Sequence, residues 1–445
     1  MSAPTTPNAQ PEELSTTEPG RHAFHDYRWV VCALLFFATT INYIDRQILS
    51  LLKPMLDDEL KWTNGQFGLI NSAFLGAYGI GLLGFGWFVD RFGTKVGYAV
   101  SITAWSLAAF GHGLVGSVRG FLTARVALGL GEGGNFPSAI KAVALWFPKR
   151  ERALATGIFN AGTNVGAVAA PALVPLIARH WGWKAAFILA GIAGFVWLIF
   201  WQWFYNVPEK IRLSAAERAH IASDAGGQES GRKILWAELL VFPQTWSFVA
   251  GKFLTDPVWW FFLIWLPDYF KTTRHLDIKN SWLHLVTIYS MVTVLSIAGG
   301  WLPGRLNRRG WSVTRARKTA MFIFALCVIP IVFATSVSDW GATLLIGLAA
   351  SAHQAWSANL YTTVSDMFPK SEVASVIGMG GMAGSLGGMM FPFLTGLLLD
   401  AFKRSGDITG GYRILFAICA VVYLVAFGVN HLLAPRFEPV KENRA

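Results

Sequence analysis

Apolar residues fall in long runs along this 445-residue chain, and most of the polar stretches between the runs are short. The runs lie at about 29–50, 67–89, 95–115, 119–144, 152–177, 184–204, 246–269, 284–303, 318–336, 341–364, 373–400 and 411–433. Each approaches or exceeds the roughly 20 apolar residues that carry a helix across a bilayer. The pattern predicts an all-α integral membrane protein with twelve transmembrane helices. Two stretches stand apart from it. Met1–Asp26 is polar and lacks the basic start and short apolar core of a secretory signal, so it reads as a disordered tail. Asn206–Phe242 is the longest internal polar segment, with Gly226-Gly227 as a flexible middle.

The chain repeats itself. Phe147-Pro148-Lys149, followed by Glu151 and Ala153, returns as Phe368-Pro369-Lys370, followed by Glu372 and Ala374. The same ungapped register sets Gly157 on Gly378, Gly166 on Gly387 and Pro171 on Pro392. The fourth and fifth runs thus correspond to the tenth and eleventh. This predicts two pseudo-symmetric six-helix bundles, residues 27–205 and 244–434, joined by a linker at 206–243 and flanked by tails at 1–26 and 435–445. Parallel halves of this kind place a binding site between them, near the bilayer midplane.

Composition agrees with a membrane protein. Hydrophobic residues make up 53% and charged residues only 14%, with mean hydropathy +0.44. A soluble protein carries about a quarter charged residues. The net charge of +11 would suit nucleic acid binding. Its position argues otherwise. With both termini cytoplasmic, the loops of that face hold twice the Lys and Arg of the opposite face, where Lys53 is counted. Linker and tails then also lie in the cytoplasm. Cys32, Cys327 and Cys419 all sit in apolar runs and read as packing residues. Nothing resembles a phosphate-cradling Walker loop, a zinc site or a nucleophile elbow. That speaks against an enzyme and for an ion gradient, not ATP, as the energy source.

Ionisable residues inside apolar runs are costly at bilayer depth, about 2.5–3.5 kcal/mol each on insertion scales, and mark sites or pathways. Asp45 and Arg46 are adjacent in the first run; Arg125 and Glu132 lie in the fourth, two turns apart on one face. Glu132 is about 20 Å along the helix from Arg119, hence near the midplane. Arginine grips a carboxylate with two parallel bonds, and Asp45 or Glu132 can carry a proton. Either pair also reads as a fixed structural ion pair. Asn160 and Asn164 share a face of the fifth run and serve either sugar hydroxyls or neighbouring helices. His353 is the repeat partner of Glu132, with Trp356 and Asn359 within two turns of it. Lys252 and Asp256, one turn apart, can simply neutralise each other.

Between the second and third runs stands Gly86-Trp87-Phe88-Val89-Asp90-Arg91-Phe92-Gly93-Thr94-Lys95. It resembles the Gly-x-x-x-Asp-Arg-x-Gly-x-Lys/Arg loop of the major facilitator superfamily, and the resemblance extends over essentially the whole chain. In the second half, Gly300 and Arg305 are kept but Gly304 stands where the Asp would be. Asn42-Tyr43-x-Asp45-Arg46, Tyr78, and Arg125 with Gly129-x-Gly131-Glu132-Gly133-x-x-Phe136-Pro137 are similar to the anion:cation symporters, bacterial hexuronate transporters above all. Thr255 stands near the place where vesicular glutamate carriers have an arginine.

The resemblance implies proton-coupled import of a sugar-acid anion, glucuronate or galacturonate, by a monomer in the bacterial inner membrane, with no cofactor beyond the proton gradient. It implies substrate contacts from Arg46, Arg125, Tyr43 and Tyr78. Asn160, Asn164, His353, Trp356 and Asn359 complete the candidate substrate set. It implies proton coupling by Asp45 and Glu132, and a conformational gate of Asp90, Arg91 and Lys95. Other organic anions (galactonate, glucarate, tartrate or phthalate types) and a non-transporting ligand sensor are the alternatives.

Overall fold

The computed structural model describes residues 26–223, 236–276, 278–296 and 298–440. The expected amino-terminal tail and Gly226-Gly227 lie outside them. The described residues are almost wholly helical. The first half comprises α1 (Tyr27–Leu60), α2 (Asn64–Phe92), α3 (Thr94–His112), α4 (Val118–Glu132), α5 (Asn135–Trp146), α6 (Lys149–Trp181) and α7 (Trp183–Phe204). Short helices α8 (Ala215–Ala222) and α9 (Trp236–Leu239) follow. Then come α10 (Pro243–Arg274), α11 (Ile278–Leu295), α12 (Ala298–Arg308), α13 (Val313–Val328), α14 (Asp339–Met367), α15 (Lys370–Arg404) and α16 (Ile408–Leu433). Among the described residues, eight helices are long and apolar enough to cross a membrane.

Each of the twelve apolar runs falls on helix, with three differences. The first run was expected to end near residue 50, but α1 continues through Lys53, Pro54 and Asp57 to Leu60. Lys53 and the Pro54 carbonyl are held by Asp268 and Lys271 of the other half, and Asp57 by Lys53 and Trp62, so the helix needs no apolar sequence there. The fourth run is two helices, broken at Gly133 and Gly134. The eighth is divided between α11 and α12. The break after α4 has a steric cause. A Cβ on Gly133 would stand 2.4 Å from the Gly81 carbonyl carbon, and one on Gly129 would stand 2.4 Å from the Phe74 oxygen. One on Gly131 would stand 2.6 Å from the Trp105 nitrogen. Glycines therefore let α4 lie backbone to backbone on α2 and α3, and so many of them lower helix propensity. The repeat partner α14 carries Gln354 and Ala355 at the break positions and runs unbroken.

The repeated Phe-Pro-Lys loop has one backbone geometry in both copies. Pro148 and Pro369 cap α6 and α15 at φ/ψ of −61/153° and −56/151°. Contacts between the halves run through α2 with α15, α6 with α11, and α1 with α10. At the end where α1 turns into α2 these contacts are close. Asp400 accepts from the Asn64 and Gly65 amides at 2.9 and 2.7 Å, and a Cβ on Gly68 would stand 2.3 Å from the Pro392 oxygen. Toward the other end α2 and α15 line a cavity of about 420 Å³, with Gly79, Ile80 and Leu83 on one side and Gly378, Met382 and Leu386 on the other.

On α15, Gly380, Gly384 and Gly388 receive Phe248, Asp256 and Trp260 of α10, whereas Gly381 meets nothing within 4 Å.

The α4 glycines make a prediction. Gly129→Val drives its side chain into main chain that cannot yield, costing about 3 kcal/mol or more. Its melting temperature in detergent falls well below that of the parent, while Gly111→Ala, where a Cβ meets nothing within 4 Å, stays close to it. Equal melting of the two variants would remove the steric account.

Candidate functional site

α1 and α4 bring four buried charges together. Arg46 Nε donates to Glu132 Oε2 at 2.6 Å, with the two side chains 4% and 0% exposed. Arg125 Nη2 donates to the Arg46 carbonyl at 3.1 Å. Asp45 lies beside them, 2% exposed. Two cations and two carboxylates give formal neutrality, the condition for so much charge away from water. Spacing on α4 suggested an Arg125–Glu132 pair. Instead the carboxylate turns to α1, and Arg125 is spent on the α1 backbone.

Aromatic faces enclose Arg46. Its guanidinium carbon lies 4.4 Å from the Tyr78 ring centre, 5.1 Å from Tyr43, 5.7 Å from Phe74 and 5.8 Å from Trp260. Trp260 belongs to α10, so both halves reach this arginine. The site is also rich in polar atoms without a hydrogen-bond partner among the described residues: both oxygens of Asp45, Arg46 Nη2 and Arg125 Nε. Buried polar groups are normally satisfied. Here unused donors and acceptors stand side by side.

The remaining candidates are placed differently. His353 Nδ1 is 2.6 Å from the Tyr423 hydroxyl, and its ring stacks on Trp259 at 5.6 Å. Trp356 packs edge-on against Tyr423. The Asn359 amide donates to the Gly299 and Ala355 carbonyls at 2.6 and 2.9 Å. These three are tied to partners within the second half, and Trp259-Trp260 is their link to Arg46. Asn160 is exposed, with its carbonyl accepting from Thr163, and Asn164 is half-buried. Lys252 and Asp256 pair at 2.8 Å, and Lys252 lies 4.5 Å from the Tyr361 ring centre.

The Major Facilitator Superfamily profile matches residues 35–364. The chain belongs to the Major Facilitator Superfamily. It is accordingly a membrane transporter and not an enzyme. It is 31% identical over 409 residues to the hexuronate transporter of Escherichia coli K12, covering 89% of this chain and 92% of that one. It is 27% identical over 395 residues to the probable L-galactonate transporter of the same organism, covering 87% and 85%. Two solved structures share the fold. One is a bacterial homologue of the human lysosomal transporter Spinster in an inward-facing, occupied conformation (TM-score 0.76, 18% identity, 93% and 98% covered). The other is a D-xylose–proton symporter (TM-score 0.74, 14% identity, 92% and 99% covered).

The superfamily's signature loop ties helix ends together. Asp90 pairs with Lys141 of α5 at 2.8 Å, Lys95 donates to the Gln202 carbonyl in the last turn of α7 at 3.2 Å, and Arg91 is exposed. Cations at a helix C-terminus suit its dipole.

A second buried cluster escaped the sequence reading. Lys53 was counted as a loop charge, yet it is 1% exposed. It binds Asp268 of α10 at 2.6 Å and Asp57 at 2.8 Å. Tyr412 of α16 donates to the other Asp268 oxygen at 2.5 Å. Lys271 donates to the Pro54 carbonyl at 2.5 Å. The signal available was helical spacing, since Lys53 and Asp57 are one turn apart.

Removing Lys53 strands Asp268, whereas removing Asp268 leaves Lys53 its bond to Asp57. Lys53→Met is expected to destabilise the protein by about 3–5 kcal/mol, and Lys53→Met with Asp268→Leu to regain most of that loss. Melting curves of the single and double variants check this. A single variant as stable as the parent would show that the pair carries no such constraint.

Proposed function

We propose that the protein imports a sugar-acid anion, a hexuronate such as glucuronate or galacturonate, together with protons. The observation that carries this reading is the Arg46–Glu132 pair with its unpartnered polar surroundings. A proton on Glu132 removes the charge that holds Arg46. An incoming carboxylate then replaces it on the guanidinium, and the buried site stays neutral. Proton and anion thus bind the two partners of one ion pair, and each favours the other. Arg46 has a free Nη2 for a two-bond grip. Tyr43, Tyr78 and Trp260 offer ring faces to a pyranose, and Asn42 an amide. Asp45 supplies a second proton position, which makes import sensitive to voltage. Arg125 holds the α1 backbone and neutralises Asp45.

Twelve spans, cytoplasmic termini, a monomeric state, two bundles moving about this site and a bacterial inner-membrane location complete the proposal. The hexuronate- and galactonate-transporting relatives support the substrate class, and no cofactor beyond the proton gradient is invoked. Other sugar acids satisfy the same guanidinium, so the exact anion is decided by competition among hexuronates, aldonates and small dicarboxylates in counterflow.

Glu132→Gln tests the coupling. The variant imitates the protonated side chain and frees Arg46 for the anion. Counterflow exchange in proteoliposomes should survive, accumulation driven by a pH gradient should vanish, and added substrate should restore thermal stability lost in the empty protein. Parallel loss of exchange and accumulation, or undiminished accumulation, would overturn the coupling role.

A further inference from the structure

An apolar groove about 530 Å³ in volume runs between α1 and α7, with Ala33, Phe37 and Ile41 on one wall and Ala193, Val196 and Phe200 on the other. From Val30 to Ile41 it follows α1 for about 17 Å, close to the reach of an acyl chain in one leaflet. Beside its α7 C-terminal end lies a second cavity of about 280 Å³, lined by Lys95, Lys210 and Arg212 with Tyr27, Trp203 and Tyr205. The two are neighbours: Phe204 of the groove stands in sequence between Trp203 and Tyr205 of the pocket, and the Tyr27 hydroxyl of the pocket donates to the Phe204 carbonyl at 2.5 Å. Lys210 and Arg212 are exposed and have no ion pair among the described residues. Glu209, the acid nearest in sequence, lines a separate cleft with Leu213 and Arg218. Lys95 uses one of its donors on Gln202 and keeps two.

We infer that the groove and pocket together form a binding site for one anionic phospholipid, its phosphate among Lys95, Lys210 and Arg212 and one acyl chain between α1 and α7. The charge is complementary. Tryptophan and tyrosine rim the pocket as they do at the headgroup level of a membrane. Basic pockets between helices at such a level hold acidic headgroups. The apolar groove explains why the ligand is a lipid and not a free phosphate: a soluble anion leaves the groove uncovered. Because the pocket joins the start of α1, the start of α3 and the segment after α7, the lipid fastens that segment to the first half. The transport proposal is not needed for any of this, and the two fail separately.

The test uses the delipidated full chain and melting temperature, with titrations of phosphatidylglycerol, phosphatidylcholine and glycerol 3-phosphate. The parent should prefer phosphatidylglycerol over phosphatidylcholine by about tenfold or more in apparent affinity, as loss of two basic contacts would imply. In the double variant Lys210→Gln with Arg212→Gln that preference should disappear while the response to phosphatidylcholine remains. Both side chains are exposed, so the fold is not at stake. Ala33→Trp, which fills the groove, should weaken phosphatidylglycerol binding with the cations intact. Equal response to the two lipids in the parent, or an unchanged preference in the double variant, would overturn the site. Glycerol 3-phosphate stabilising as strongly as phosphatidylglycerol would reassign the pocket to a soluble phosphate and overturn the lipid reading.

Discussion

The buried Arg46–Glu132 ion pair is the constraint on which the rest of the first half depends. A guanidinium and a carboxylate away from water must face each other at short range, or each costs several kcal/mol. Here they do so across two helices, at 2.6 Å. That requirement fixes the depth of α1 against α4. The glycines serve the same end: α4 lies on α2 and α3 only if its backbone carries no side chains at Gly129, Gly131 and Gly133, and it reaches α1 through the side chains of Glu132 and Arg125. Charge and glycine form one arrangement, with Arg125 and Asp45 closing the balance.

The same logic holds the two halves together at the end where α1 meets α2. Lys53 is enclosed by Asp268, Asp57 and Tyr412, and the α2 amides by Asp400. The Asp268 and Asp400 contacts join charges and helix ends from opposite halves, so they hold that end shut. In the centre Trp260 crosses to Arg46 from the second half. A carrier that alternates between faces needs strong but breakable contacts at its ends and a lightly bridged site in the middle, and the distribution of polar contacts has that character.

Much of the fold was legible because apolar runs of bilayer length leave little choice of structure. The repeated Phe-Pro-Lys loop was legible because proline fixes φ and the same residues cap the same helices. Asp45, Arg46, Arg125 and Glu132 stood out because charge in an apolar run is conspicuous. Their pairing did not. Arg46 and Glu132 are 86 residues apart, and helical spacing favoured the local Arg125. Lys53 was misread because a lysine past the end of an apolar run looks solvated until the opposite half supplies Asp268. His353 was found through the repeat, but its partners Tyr423 and Trp259 come from distant helices that no spacing rule connects.

The central claim is that anion and proton bind to the two partners of one ion pair. The most direct measurement is proton uptake on substrate binding. Purified protein in weakly buffered detergent is titrated with the hexuronate, or with whichever anion counterflow selects, while a pH indicator and a binding signal are read together between about pH 5 and 9. Linkage requires that an anion favouring protonated Glu132 draws in at least one proton per anion bound at the alkaline end, and that affinity weakens as pH rises. Glu132→Gln should take up one proton fewer per anion and show a correspondingly weaker pH dependence. Tight binding by the parent with no proton taken up anywhere in the range would contradict the account.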